Sequence, residues 1–516
     1  ASQPVRRTVL AVVAAVVGLA AMVGVGLALT APGSIEVEGN ILVNREGFID
    51  VSNSPTVAYN PARTGNVVVS YRKDRPGYSA LLAYSYDGGQ NWEQTILPLP
   101  PGITGCTASQ NEPCPFAPDL AFGPDGTLYV TYVNLVGNGN RPDNLWISTS
   151  TDGGRTLSLP TRVAGALTFM PRVTVDPDGP LFLTWLQADE VGLLRFAGRP
   201  PQIVTARSDD GGRSFAPPVR VSDPQRERVV APSPVVDDDG HLVVMYQDLK
   251  GNRRDFENQP GPPAELPFAL VITRSTDGGK TFAPGTEFES DILATRRFLP
   301  FLPELPQLAS SSDGKLYATW ADGRDGDDDV FLRSSSDGGT TWTEPVKVND
   351  NGADGTAQFL PKVDVGPGNR VSILFLDGRN DPEKKELLDA YLATSTDGGK
   401  TFDNIRLSVR SFEEAIGPTF GEDYGTDLGT KLGLAHGDGK LFASWVDTSA
   451  GNVNTGRQDV NFTSVDLPSG SGRTLILGAG LAVLLGGAFF VLALSRRNRG
   501  GASTPSDAQN RQVVSS

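Results

Sequence analysis

Arginine and aspartate recur as close pairs along this 516-residue chain: Arg72-Lys73-Asp74, Asp322-Gly323-Arg324 and Asp377-Gly378-Arg379. A guanidinium beside a carboxylate can orient a charged substrate, or it can simply bridge two neighbouring strands, and both readings stand at this point. Arg226, Arg228, Arg296 and Arg297, and the run Glu422-Asp423-Tyr424, occupy loops of their own, where an arginine suits recognition of a planar carboxylate. Asp447 and Asp459 echo the pattern near the end of the chain. The acidic run 325–329 offers ligands for calcium but lacks the spacing and glycine of an EF-hand loop. Calcium is therefore left open, and no other cofactor or metal is expected. Only His241 and His436 exist, each beside a hairpin turn, which argues against a Ser-His-Asp hydrolase or a histidine metal centre. The two cysteines, Cys106 and Cys114, share one loop. In an extracytoplasmic setting they are expected to form a local disulfide worth roughly 2–3 kcal/mol.

The elements that must carry these residues announce themselves as a repeat. Six copies of a Ser-x-Asp-Gly-Gly-x-x-aromatic/Leu signature are centred on Asp87, Asp152, Asp210, Asp277, Asp337 and Asp397, spaced 58 to 67 residues apart. That period is the length of a four-stranded sheet with its loops, and a small sheet cannot bury its faces alone, so the fold class is all-β: a propeller. Asp-Gly-Gly supplies the positive φ angles of a tight turn, and the Asp carboxylate and Ser hydroxyl can accept the turn's N–H groups. The closing Trp, Phe or Leu is placed to wedge between neighbouring blades. Six identical copies point to a structural role for these aspartates.

A second pattern precedes each signature: Pro, then apolar alternation, a turn, and a strand ending in an aromatic. It reads Pro55-Thr56-Val57, Pro118-Asp119-Leu120, Pro171-Arg172-Val173, Pro232 before Val235, Pro306-Gln307-Leu308 and Pro361-Lys362-Val363. A seventh copy, without the signature, ends in Leu441-Phe442-Ala443-Ser444-Trp445. Ile41-Leu42-Val43-Asn44 resembles the fourth strands and is predicted to complete that last blade, closing the ring. Seven blades are expected, with six as the alternative. In an up-and-down blade the Asp-Gly-Gly turns share a face with the 1–2 turns. The 2–3 and blade-to-blade loops, which hold the Arg/Asp pairs, share the opposite face, so the site is expected there.

Formal charge is −15, which excludes the basic stripe that nucleic-acid binding needs. Two apolar segments flank the repeats. Residues 8–31 are uncharged, with 8–30 about 34 Å long as a helix, and 474–495 are followed at once by Arg496-Arg497-Asn498-Arg499. The first is expected to be an uncleaved anchor, with a signal peptide as the alternative, and the second a membrane helix. Arginines at both ends place the termini in the cytoplasm and the propeller, 34–466, outside. Residues 1–7 form the short N-terminal tail, 467–473 a linker, and 496–516 a polar, disordered tail.

The Asp-Gly-Gly signatures are Asp-box repeats, and residues of roughly 41 to 466 resemble the sialidase (neuraminidase) superfamily of propellers. Asp322-Gly323-Arg324 and Gly421-Glu422-Asp423-Tyr424 look like features of secreted bacterial sialidase-like proteins. The resemblance implies a catalytic Asp acid/base, matched in its loop by Asp74, and a Tyr nucleophile assisted by Glu, for which Tyr424 and Glu422 are candidates. It further implies substrate-binding arginines. Arg72, Arg297, Arg324 and Arg379, with Asp322 and Asp377, are candidates by their face. The Arg-Ile-Pro motif of the first blade reads Asn53-Ser54-Pro55 here, so that arginine is absent. Two functions follow from this reading. The first is a membrane-anchored recognition propeller that binds a glycan or a cell-surface protein; the alternative is an exo-sialidase-type glycoside hydrolase cleaving terminal acidic sugars.

Overall fold

The structure, a computed structural model, describes residues 35–467 apart from 45–46, 48, 76, 78, 104–113, 137–140, 193–194, 198, 254–265, 294–304, 353 and 419–425. The expected terminal helices and tails and the linker beyond Leu467, together with Cys106, Arg296, Arg297, Glu422 and Tyr424, lie outside the described residues. Among the described residues no helix is long and apolar enough to cross a membrane.

Seven antiparallel meanders make up the ring. Their first strands are Val51–Tyr59, Cys114–Phe122, Thr168–Val175, Val229–Val236, Gln307–Ser310, Gln358–Gly366 and Gly433–Gly437. Each contacts the first strand of the next blade, and the seventh returns to the first. The count of seven therefore holds over six. Closure follows the expected route in modified form: Ile41 pairs with Phe462 and Glu36 with Asp466, so two short N-terminal strands both lie against the last strand, Asp459–Asp466. The third blade also carries a two-stranded ribbon, Glu190–Gly192 with Arg195–Ala197, in its 2–3 loop. Nothing in the sequence pattern announced it.

Every blade buries at least one large aromatic on its second strand, at equivalent places Tyr71, Tyr132, Trp185, Tyr246, Trp320, Phe375 and Trp445, none more than 1% exposed. Removing this much apolar surface from water is the main stabilisation available to a ring whose sheets are individually too small to fold. The wedge residues act as expected where two of them meet a neighbour: Trp92 crosses edge-on to Phe462 at 4.9 Å, and Trp342 stacks on Phe288 at 4.1 Å.

The Asp-Gly-Gly turns have a common hydrogen-bond pattern. In the third, Ser208 Oγ accepts the Gly212 N–H (2.9 Å) and donates to Asp210 Oδ1 (2.8 Å), which in turn accepts the Ser214 N–H (2.9 Å). Hydrogen bonds from the Ser214 hydroxyl and N–H hold the Asp210 carboxyl down to about 2. Cys114, at the start of the second blade, is disulfide-bonded.

Candidate functional site

The face opposite those turns brings Asp74 together with residues distant in sequence. Arg72 and Asp74 end the second strand of blade 1, Val67–Arg75. Arg72 Nη2 donates to Asp74 Oδ2 at 2.7 Å and to Asp427 Oδ2 at 2.6 Å, so two carboxylates share one guanidinium nitrogen. Asn53, at the position of the absent arginine, donates to Asp74 Oδ2 (3.0 Å) and to Gln458 Oε1 (2.9 Å), which joins blade 1 to blade 7. Burial pushes the Asp74 carboxyl above the usual carboxylate range, against the Arg72 cation and helped by the Asp427 charge. Asp74 Oδ1 and Arg72 Nε have no hydrogen-bond partner among the described residues. Asp427 and Gln458 lay outside the sequence reading, because their link to Asp74 exists only once the ring has closed.

The other Arg/Asp corners prove to be internal ion pairs. Arg324 donates to Asp322 Oδ2 (2.6 Å) and Glu289 Oε1 (2.7 Å). Arg379 donates to Asp377 Oδ2 (2.7 Å) and to Asp350, and lies over the Tyr391 ring at 4.3 Å. Burial raises the Asp377 carboxyl even beside this partner. Asp322 and Asp377 each also accept the N–H two residues on (2.9 and 2.8 Å), fixing the corner locally. The guanidinium groups of Arg72, Arg324 and Arg379 are thus each engaged by two carboxylates. In the run 325–329, Asp329 pairs with Lys347 at 2.7 Å. Among the described residues, the carboxylates and histidine close enough to share an ion are Asp237, Asp239 and His241, and there Arg274 already bridges to Asp237 at 2.7 Å.

A second polar constellation lies inside the ring. In blades 1, 2, 3, 4 and 6 the residue before the proline has a left-handed φ: Ser54 (54°), Ala117 (49°), Met170 (51°), Ala231 (56°) and Leu360 (54°). Each coincides with a register shift between the first and second strands. Blade 7 has no proline there but has Gly429 at φ 89°, where an added Cβ would lie 2.6 Å from Ser54 Oγ. A β-bulge of this kind re-aims the side chains that follow it. The residue two positions beyond the left-handed one is Thr56, Asp119, Arg172, Ser233, Lys362 or Lys431, and blade 5 supplies Gln307 after its own proline. All of these except Ser233 line one cavity of about 20 Å³ among the first strands. Ser233 instead accepts the Leu308 N–H across the blade boundary at 2.9 Å.

Asp119 is the carboxylate among those six lining residues. Its Oδ2 accepts the Val173 N–H (3.0 Å), while Arg172 and Lys431 each approach Oδ1 at 3.4 Å. Burial acts to raise its carboxyl, but the Lys431 and Arg172 charges and the Val173 N–H outweigh this and keep it below the usual range. Burial and repulsion from Arg172 and Lys362 push the Lys431 ammonium down to about 7, against the pull of Asp119. Lys362 is lowered too, by burial first and then by Arg172. The sequence carried a signal for this ring in the repeated Pro-x-apolar pattern, where x is the residue the bulge aims inward.

No protein-family model matches this sequence, and no curated protein does. Solved structures similar to the chain include a protein of unknown function from Dyadobacter fermentans, at 14% identity, covering 84% of this chain and 100% of that one with a TM-score of 0.48. The Hadza microbial sialidase Hz136 is similar at 17% identity over 79% of this chain and 75% of its own, with a TM-score of 0.43. An endosialidase of phage phi92 gives 10% identity over 84% of this chain and 70% of that one, with a TM-score of 0.48. The assignment as a seven-bladed propeller rests on the strand order and ring closure described above.

Proposed function

We propose that this protein is a recognition propeller held at the outer side of a cell membrane, binding a glycan or protein partner on the face opposite the Asp-Gly-Gly turns. One observation carries the choice of binding over hydrolysis. Arg72, Arg324 and Arg379 each already satisfy two carboxylates, so none of the three has its charge free for a sugar carboxylate. Breaking such a pair to admit a substrate leaves an uncompensated buried carboxylate, which is costly. The membrane location is read from the two apolar segments, 8–31 and 474–495. It is supported by the pairing of Glu36 with Asp466, since both ends of the chain leave the ring at one place.

A hydrolase remains the second reading because of Asp74. A buried carboxyl with a raised pKa and one oxygen unpaired among the described residues has the character of a general acid. The test is to assay the purified full-length chain on a fluorogenic sialoside and on a glycan array. Binding without turnover is expected. Turnover that disappears in Asp74→Asn while the fold is kept would replace the recognition reading with the hydrolase.

A further inference from the structure

The ring inside the channel has a donor set without an acceptor to match it. Arg172, Lys362 and Lys431 bring three cations to a cavity lined by a single carboxylate, Asp119. Lys431 donates to the Pro118 carbonyl at 2.9 Å, but the Lys362 ammonium has no hydrogen bond or ion pair among the described residues. The Thr56 hydroxyl oxygen on the same wall is buried and has no hydrogen-bond partner among the described residues. Asp364, further along the strand of Lys362, is already engaged by the His436 N–H (2.8 Å) and ring (2.7 Å). Buried cations are normally paired, and buried hydroxyls hydrogen-bonded, because desolvation without compensation is expensive. Here the Lys362 ammonium, attracted by Asp364 and Asp119 but hydrogen-bonded to neither, and the Thr56 hydroxyl both have a hydrogen to donate, and they face one small space. The space is also built at a conformational cost, since non-glycine residues are held in the left-handed region to aim these side chains inward.

We propose that the channel is an anion site, binding one chloride-sized ion among Arg172, Lys362, Lys431 and the Thr56 hydroxyl. A cavity of about 20 Å³ admits one or two water-sized groups and excludes a sugar ring, so this site is separate from any glycan-binding surface. The ion would complete the inner wall of the ring by neutralising charges contributed by blades 3, 6 and 7. It acts as a structural counter-ion that locks the blades in register.

The experiment compares thermal unfolding of the full-length chain in sodium chloride, sodium bromide and sodium gluconate at equal ionic strength. Gluconate is too large for the cavity and supplies the screening control. Chloride and bromide are expected to raise the unfolding temperature saturably, as a ligand of the folded state must. Lys362→Met should retain the fold and lose the halide dependence. The same halide response in Lys362→Met would overturn the assignment of the ion to this cavity. No difference between chloride and gluconate in the wild-type chain would overturn the site altogether. Should Lys362→Met fail to fold, ³⁵Cl line broadening of the wild-type chain, competed by bromide but not by gluconate, supports the site, and its absence refutes it.

Discussion

Lys431 should make the stability of this propeller rise with pH, whereas an ordinary surface lysine contributes almost nothing. Its ammonium is held down to about 7 in the folded ring, against roughly 10.4 in an unfolded chain. Between those values the unfolded state binds one more proton than the folded state, so stability rises with pH across this window. Below about pH 7 both states are protonated, and the cost of keeping a buried ammonium is present in full. One proton corresponds to a slope of about 1.4 kcal/mol per pH unit. The whole window of about three units is then worth on the order of 4 kcal/mol. The groups facing this ammonium are Asp119 from blade 2, Arg172 from blade 3 and Lys362 from blade 6; burial and Arg172 lower the Lys362 ammonium as well, so its contribution has the same sign. The assay is urea unfolding from pH 6 to 10 in gluconate, comparing wild type with Lys431→Met. The difference between the two should grow with that slope above about pH 7 and level off near pH 10. Parallel curves for the two proteins would refute both the buried ammonium and the electrostatics of the channel. In chloride the slope should weaken, because a bound anion favours the charged lysine.

Arg72→Met removes the cation shared by Asp74 and Asp427 and leaves two buried carboxylates facing each other; it should cost about 3–5 kcal/mol in urea unfolding, and a loss under 1 kcal/mol would show the pair to be solvated. Trp92→Ala empties the contact with Phe462 at the seam between blades 1 and 7 and should cost about 3–5 kcal/mol, with protease cleavage appearing first in the N-terminal strands. Asp210 has a depressed carboxyl, so its contribution to stability is present above about pH 4 and fades as pH falls toward 2. Asp210→Asn should therefore flatten the acid limb of the stability curve and leave its slope near neutral pH unchanged, which acid titration of unfolding measures directly.

Much of the architecture was legible because it is written locally. A turn needs Asp-Gly-Gly within one hairpin, and a blade needs its strands within 58 to 67 residues, so period and turn chemistry predicted a propeller, its seventh blade and its N-terminal closure. The Arg/Asp corners were legible as residues but not as chemistry. Whether Arg324 grips a substrate or its own strand depends on Glu289, which lies on the fourth strand of the preceding blade. Likewise Asp74 was found from its loop, whereas Asp427 and Gln458, which complete its surroundings, come from the far end of the chain.

By itself, then, the sequence determined the repeat, the turns and the face on which loops gather, because each is fixed by residues that are neighbours along the chain. The Pro-x-apolar repeat marks the positions that line the channel, but the tertiary structure decided that they meet. Asp119, Arg172 and Lys362 read in sequence as polar positions of half-buried strands, and Lys431 as one just before a strand, on four different blades. They become one constellation because a bulge turns Asp119, Arg172 and Lys362 inward, the left-handed Gly429 precedes Lys431, and ring closure brings the four blades to one cavity. Their charges shift one another only at that separation, since electrostatic coupling depends on distance in space and on the exclusion of water, neither of which is encoded in spacing along the chain.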